Sequence, residues 1–364
     1  MDIDSRVNLI KQVGEEIITE EELRQLLETK KNVIAYDGFE PSGRIHIAQG
    51  LLRTININKM TKAGCNFKMW IADWFAWMNN KLGGDLEKIK ITGNYFLEVW
   101  KASGMDLDKV EFLWASDVMS DKEYWKLVLQ IAKLNSVDRI IRCAQIMGRK
   151  ETETLSAAQI LYPCMQCADI FYLKADITQL GMDQRKVNVL ARETGPRLGL
   201  WKPVVVSHHM LMGLQQKSFD DKLENGKMSS VDRTIAMKMS KSNPDSAIFM
   251  TDSREDILRK INNAYCLPKE VNENPVLDYA KYIVFEKFKS VKVERLAKFG
   301  GNLEFQSYGE LAQAYANGSL HAVDLKNAVA EHVDKLIEPV RRHFEKNAAA
   351  RKLKEQVASF QVTR

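Results

Sequence analysis

Apolar positions along this chain follow two different rhythms. Over roughly the first 250 residues, short apolar runs of strand length alternate with longer amphipathic stretches. Asn32–Tyr36, Phe67–Ala72, Val110–Trp114 and Val204–Ser207 read as strands. Residues 6–30 read as one acidic amphipathic helix, with Thr19 and Glu22 spaced like a capping box. His46 through Leu51, Leu52 and Ile55 has helical spacing, and residues 85–103 predict a further helix after the turn at Gly83-Gly84. Residues from about 115 to 160 read as a largely helical insertion. Strands alternating with helices predict an α/β architecture, a mostly parallel sheet with helices on both faces.

After Phe249 the alternation stops. Residues 253–364 read as mostly helical, with Leu325, Ala328, Val329, Val333, Leu336, Ile337 and Val340 on one face of a long helix. The expected division is a sheet-based domain over 1–250 and a mainly helical domain over 251–364. A chain of 364 residues has the length for about two domains.

Composition mainly excludes. No run of about 18 apolar residues suggests a membrane span. Met1-Asp-Ile-Asp-Ser-Arg6 has no basic, then apolar, leader pattern, so a cytoplasmic address is expected. The net charge of +5 is compatible with RNA binding without arguing for it. Lys281–Lys298 and Arg341–Lys354 are basic, as either a phosphate-contacting surface or a solvated helix face would be. The five cysteines form no disulfide framework, and Cys164-Met-Gln-Cys167 lies in an apolar stretch with no second pair at zinc spacing. Buried, reduced thiols are expected there. His208 and His209 are adjacent in a strand and point to opposite faces, so no protein-ligated metal is expected from them.

Three segments carry candidate chemistry. Tyr36-Asp-Gly-Phe-Glu-Pro-Ser-Gly-Arg-Ile-His46-Ile-Ala-Gln49-Gly50 runs from a strand through a Gly/Pro/Ser loop into a helix. Gly43 permits close backbone approach, and the helix start offers amide groups to an anion, with His46 beside them. The alternative is a histidine that merely caps or packs. Lys238-Met-Ser240-Lys241-Ser242 places two ammonium groups on a polar loop, able to neutralise phosphate charge or simply to be solvated. Lys227-Met-Ser-Ser230 is a second, partial version of that motif; the continuation Asn243-Pro-Asp-Ser-Ala-Ile-Phe-Met250 favours Lys238. Tyr162, Gln166 and Asp169 fall at i, i+4 and i+7, one polar stripe on an apolar helix whose first turn would hold Pro163. A buried polar stripe needs partners, either a polar ligand or an internal network.

In this order the first two segments resemble the HIGH and KMSKS signatures of class I aminoacyl-tRNA synthetases. Gln49 stands where the first signature has its second histidine. Tyr36, the Tyr162–Asp169 stripe and Gly181-Met-Asp-Gln184-Arg-Lys186 resemble the tyrosyl-tRNA synthetase family of the archaeal and eukaryotic-cytosolic type. The tryptophanyl family shares the fold and a similar Gln-x-x-Asp helix, but the Tyr36-Asp-Gly turn and the Asp183-Gln-Arg-Lys run match the tyrosine family more closely.

The resemblance covers nearly the whole chain and implies a Rossmann-type catalytic domain followed by an anticodon-binding domain. It implies that tyrosine and ATP form tyrosyl-adenylate and pyrophosphate, with Mg²⁺ on the phosphates, before transfer to the 3′ end of tRNA(Tyr). By the same resemblance Tyr36 and Asp169 bind the substrate phenol, and Tyr162, Gln166 and Gln184 hold its α-amino group. Gly43, His46, Gln49, Lys238, Ser240 and Lys241 serve ATP, with His46, Lys238 and Lys241 as the catalytic set. Such a pocket rejects phenylalanine because the missing hydroxyl strands buried polar groups, a principle for which the tyrosine enzyme is the usual example. Phe299 and His321 would stack on the first anticodon base, with Asp324 bonding its edge. Phe299 as core and Asp324 as a helix cap are the structural alternatives, and Ala322 replaces a proline the resemblance would lead one to expect. A homodimer formed through the insertion is implied as well, and no further RNA-binding module is expected beyond Arg364. Two other classes stay open at this point: a nucleotidyl-transferring enzyme of the same fold that ignores tRNA, and a non-catalytic RNA-binding relative.

Overall fold

The structure is a computed structural model, and it describes residues 1–147, 154–215, 237, 239 and 244–361. A six-stranded sheet organises the first part. Its strands are β1 (Gly14–Ile18), β2 (Val33–Phe39), β3 (Cys65–Ile71), β4 (Val110–Trp114), β5 (Ile177–Thr178) and β6 (Val204–His208). They lie in the order β1-β6-β5-β2-β3-β4. All neighbours are parallel except β1, which runs antiparallel to β6 at one edge.

Both faces of the sheet are apolar. On β3, Phe67, Met69 and Ile71 enter one core, while Trp70 enters another on the opposite face. On β2, Val33, Ala35 and Phe39 join the first core and Tyr36 the second. This period-two division is what covering layers on both faces require. The first core takes helices Ile3–Lys11, Arg53–Lys62 and Leu86–Ala102; the second takes Lys122–Leu134, Ala157–Tyr172 and Arg185–Thr194.

The expected single helix over 6–30 is instead two, Ile3–Lys11 and Glu20–Thr29, separated by β1. Gly14 interrupts the helical run, and pairing of Ile17 with Val206 and of Ile18 with Val205 rewards an extended conformation. Thr19 does cap the second helix, accepting from Glu22 N at 3.2 Å.

Beyond residue 250 the chain is helical but not wholly so. Residues Val291–Val293 (β7) and Leu303–Phe305 (β8) form an antiparallel pair that the sequence reading missed. Three-residue strands are too short to show a period. The long helix Ala322–Lys346 buries Leu325, Ala328, Val329, Val333, Ile337 and Val340 as its spacing predicts. Helix Ala348–Ser359 then turns back onto Leu86–Ala102. His343 Nε2 lies 2.7 Å from Glu98 on that helix, and Phe344 packs on Tyr95. The first core therefore runs unbroken from the sheet into the C-terminal helices. Among the described residues, no helix is long and apolar enough to cross a membrane.

Candidate active site

From β2 the chain continues outward to β3 and β4, while from β5 it continues the other way to β6. In a parallel sheet such a reversal opens a crevice beyond the strand ends. Tyr36 sits on β2 beside this point and is buried.

Across from it runs helix Ala157–Tyr172. Ser156 caps its start and forms a reciprocal capping box with Gln159. Pro163 therefore lies inside the helix, not in its first turn as the sequence suggested. The earlier start comes from Ser156 and Gln159, a capping signal that outweighs a lone proline. Tyr162, Gln166 and Asp169 still share one buried stripe.

Asp169 is 1% exposed and sits beside Tyr36, Tyr162 and Tyr124. Its Oδ1 accepts from the Tyr124 hydroxyl at 2.8 Å, and its Oδ2 has no hydrogen-bond partner among the described residues. Burial pushes its carboxyl well above the usual range; the Tyr124 bond and the neighbouring Trp70 indole oppose that rise. Burial and the nearby carboxylates likewise raise the Tyr36 and Tyr162 phenols, so both stay protonated and able to donate. The Tyr162 hydroxyl donates to Glu40 Oε1 at 2.7 Å, and its ring meets Phe75 edge-on at 4.9 Å. Asn79 Nδ2 donates to Glu40 and to the Met147 carbonyl, tying the loop after β2 to the insertion. Gln166 Nε2 donates to Gln184 Oε1 at 3.0 Å, and Gln184 Nε2 to the Ile146 carbonyl at 3.1 Å. Tyr36, Tyr162, Gln166, Asp169 and Gln184 are thus brought together.

The His46 segment meets the stretch that follows the second signature in sequence, residues 248–250. Ile47 N donates to the Ile248 carbonyl and Met250 N to the Ile45 carbonyl, both at 2.9 Å, with His46 bridged to Phe249 between them. Gly43 has φ of 113°, a conformation only glycine adopts cheaply. A Cβ on Gly50 would run into the Met250 side chain. Arg44 pairs with Asp252 at 2.6 Å and lies over the Phe249 ring. The helix expected from His46 opens as a π-turn, Ala48–Leu52, before Arg53–Lys62. Gln49 gives its carbonyl to Trp100 Nε1 at 2.9 Å, and its side-chain oxygen is buried without a partner. Lys238, Ser240, Lys241 and the Lys227 variant lie outside the described residues. Their neighbours do not: Met237 O accepts from Gly213 N at 2.8 Å, and Leu214 N donates to the Ser246 carbonyl at 2.9 Å.

Behind the pocket lies a buried charge network that the sequence reading missed. Asp37, next to Tyr36, pairs with Arg53 at 2.5 Å. Burial pushes the Asp37 carboxyl up to about 7 despite that partner. Arg53 Nη1 and Gln179 Nε2 lie 2.9 and 2.8 Å from His208 Nδ1. Burial holds His208 neutral, so Nδ1 is the acceptor for both. His209 turns the other way, 3.0 Å from Glu15 and 2.8 Å from Asp278, as alternation in a strand requires. Glu40, Asn79 and Tyr124 also went unread. Glu40 lay within the first motif, whereas Tyr124 shares the buried face of its helix with Val128 and Ile131.

Phe299, His321 and Asp324 lie in the C-terminal part. Phe299 is 60% exposed, which rules out a core role, and Lys298 Nζ stands 5.0 Å from its ring centre. His321, not Asp324, caps helix Ala322–Lys346; Asp324 sits in its first turn. Arg295 binds the Gly301 and Ser319 carbonyls, drawing the two segments together.

Residues 28–338 match the family model described as tRNA synthetases class I (W and Y). The chain belongs to this family. It is 53% identical to Tyrosine–tRNA ligase 1, cytoplasmic, of Arabidopsis thaliana, over 100% of this chain and 90% of the relative. The tyrosyl-tRNA synthetase of Pyrococcus horikoshii, solved with L-tyrosine, superposes with a TM-score of 0.90 at 40% identity, covering 98% of this chain and all of that one. The Leishmania major tyrosyl-tRNA synthetase, solved with tyrosinol, gives a TM-score of 0.88 at 47% identity over 99% of this chain. This chain spans 53% of that longer protein.

Proposed function

We propose that this aminoacyl-tRNA ligase is specific for tyrosine, activating it with ATP to tyrosyl-adenylate and transferring it to the 3′ end of tRNA(Tyr). The observation that carries the reading is the unpartnered Oδ2 of Asp169, buried beside the Tyr36 phenol. A buried carboxylate oxygen left open costs free energy unless a donor fills it. A tyrosine hydroxyl is such a donor, and a tryptophan side chain has no group of that reach. Tyr36 contributes the second bond to the phenol. Tyr162, Gln166 and Gln184 take the α-ammonium through their oxygens, with Glu40 supplying a compensating charge.

The reaction needs no protein nucleophile. The substrate carboxylate attacks the α-phosphate, and catalysis rests on orientation and on stabilising charge at the phosphates. Gly43 lets the backbone approach, His46 donates to the phosphates, and Gln49 lies beside them. Lys238, Ser240 and Lys241 close over the pyrophosphate from the segment anchored at Met237 and Ser246. Among the described residues no group of three or more His, Cys, Asp or Glu side chains could cage a metal. Mg²⁺ would arrive on the triphosphate, where it neutralises oxygens.

The two-part division near residue 250 fits this reading: the second part holds Phe299, His321 and Asp324 for the anticodon. The outward face of helix Lys122–Leu134, where Leu129 is 61% exposed, is the proposed homodimer surface. A cytoplasmic location accords with the relative's name. Amino-acid-dependent ATP–pyrophosphate exchange with the twenty amino acids supplied singly tests the assignment. Exchange with tyrosine alone is expected. Exchange with tryptophan, or with none, would overturn it.

A further inference from the structure

The two oxygens of Asp169 are differently committed. Oδ1 lies 2.8 Å from the Tyr124 hydroxyl. The competing acceptor for that proton, the Met165 carbonyl, is at 3.4 Å, so the proton goes to the carboxylate. Oδ2 and the Trp70 indole N–H beside it are both without a hydrogen-bond partner. Tyr124 comes from the inserted helix Lys122–Leu134, outside both signature segments and the Tyr162–Asp169 stripe. Its ring is fully buried, edge-on to Trp125 at 83° and to Tyr172 at 89°. Packed on these two rings, the hydroxyl has a fixed direction.

We propose that Tyr124 is a positioning residue that sets the choice of tyrosine over phenylalanine, by fixing Oδ1 of Asp169 and leaving Oδ2 as the acceptor open to a substrate phenol. The inference rests on the reading that Asp169 receives that phenol. A carboxylate without the Tyr124 bond could rotate, splitting its acceptor capacity between directions. It would also protonate more readily, because burial already raises its carboxyl and Tyr124 is the foremost group opposing that rise. A neutral acid makes a weaker bond to a phenol than a charged one. The groups facing Asp169 are Tyr36 from β2, Trp70 from β3, Tyr124 from the insertion, and Cys167 and Tyr162 from its own helix. Tyr124 makes the 2.8 Å hydrogen bond to the carboxylate, and the Trp70 indole acts in the same direction on its pKa.

The experiment is ATP–pyrophosphate exchange on the full chain, with tyrosine and with phenylalanine, for the wild type, Tyr124→Phe, Tyr172→Phe and Asp169→Asn. Tyr124→Phe keeps the ring and removes only the hydroxyl. It is expected to raise KM for tyrosine about tenfold and to lower the tyrosine/phenylalanine ratio of kcat/KM by about the same factor. KM for ATP and kcat at saturating tyrosine should move less than about twofold. The pH at which tyrosine KM breaks should shift upward in Tyr124→Phe. Tyr172→Phe, which loses a bond to Asp121 in the same aromatic cluster, should leave the ratio unchanged. The inference is overturned if Tyr124→Phe keeps the wild-type ratio while Asp169→Asn loses it. It is equally overturned if Tyr172→Phe shifts the ratio as far as Tyr124→Phe does. An unchanged ratio in Asp169→Asn would instead remove the reading of Asp169 beneath it.

Discussion

Arg53 stands 2.5 Å from Asp37, a buried ion pair joining the first turn of the helix after the His46 segment to the strand that carries Tyr36. Its guanidinium also covers the Phe39 ring, 4.6 Å from the centre. Removing one partner of such a pair leaves the other buried and unpaired. Arg53→Met should cost about 3–5 kcal/mol of stability, read by urea unfolding. The double change Arg53→Met with Asp37→Asn should recover most of that loss. Equal loss in the single and double variants would mean that the charge pairing carries no weight.

His209 gives a pH signature. It lies between Glu15 and Asp278 and stacks on Tyr282 with ring centres 4.0 Å apart. Burial alone would lower its pKa, but Asp278 and Glu15 together raise it from 6.5 to about 9. Because the folded value is the higher one, the stabilisation is complete below about pH 6.5 and is lost as pH rises through about 9. The gap in melting temperature between wild type and His209→Gln should narrow over that window. The free energy involved is on the order of 2–3 kcal/mol. A gap independent of pH would show that the imidazole is neutral in the folded protein.

Lys238→Ala and Lys241→Ala should each slow pyrophosphate exchange by roughly 100-fold, the scale of losing one charge-stabilising donor. Lys227→Ala should stay within about threefold, since only the later segment carries the full Lys-Met-Ser-Lys-Ser sequence. The reverse ranking would assign the signature to the earlier segment.

Phe299→Ala should raise KM for tRNA by about tenfold, from a stacking contribution of roughly 1–3 kcal/mol per base. Tyrosine-dependent exchange, which needs no tRNA, should be unaffected. A matching loss in both assays would point to misfolding.

Leu129→Asp on the outward face of helix Lys122–Leu134 should convert a dimer into a monomer in sedimentation analysis, because a carboxylate is costly at an apolar interface core. A wild-type chain that already sediments as a monomer would dismiss that surface.

The catalytic strands were legible because β2, β3 and β4 are buried on both faces and read as apolar runs. The Tyr162–Asp169 stripe was legible because a helix repeats its faces at a fixed interval, whatever residue begins it. β1 was not: its Glu-rich sequence favours helix, and only pairing with β6, almost 200 positions away, makes it a strand. The Asp37–Arg53–His208 network was invisible for the same reason. Each member is unremarkable in its own segment, and their meeting is a product of topology. Tyr124 hid differently, since a tyrosine at a core position looks apolar until its hydroxyl finds Asp169.

The bond from Gly213 to Met237 and the one from Leu214 to Ser246 close the polar segment ahead of Lys238 at its base. Once both ends of a loop are clamped, its length hardly registers in the folding equilibrium: each doubling costs only about 0.6 kcal/mol. Residues can therefore be gained or lost between 215 and 237 at little cost in stability while the Gly213–Met237 and Leu214–Ser246 bonds hold.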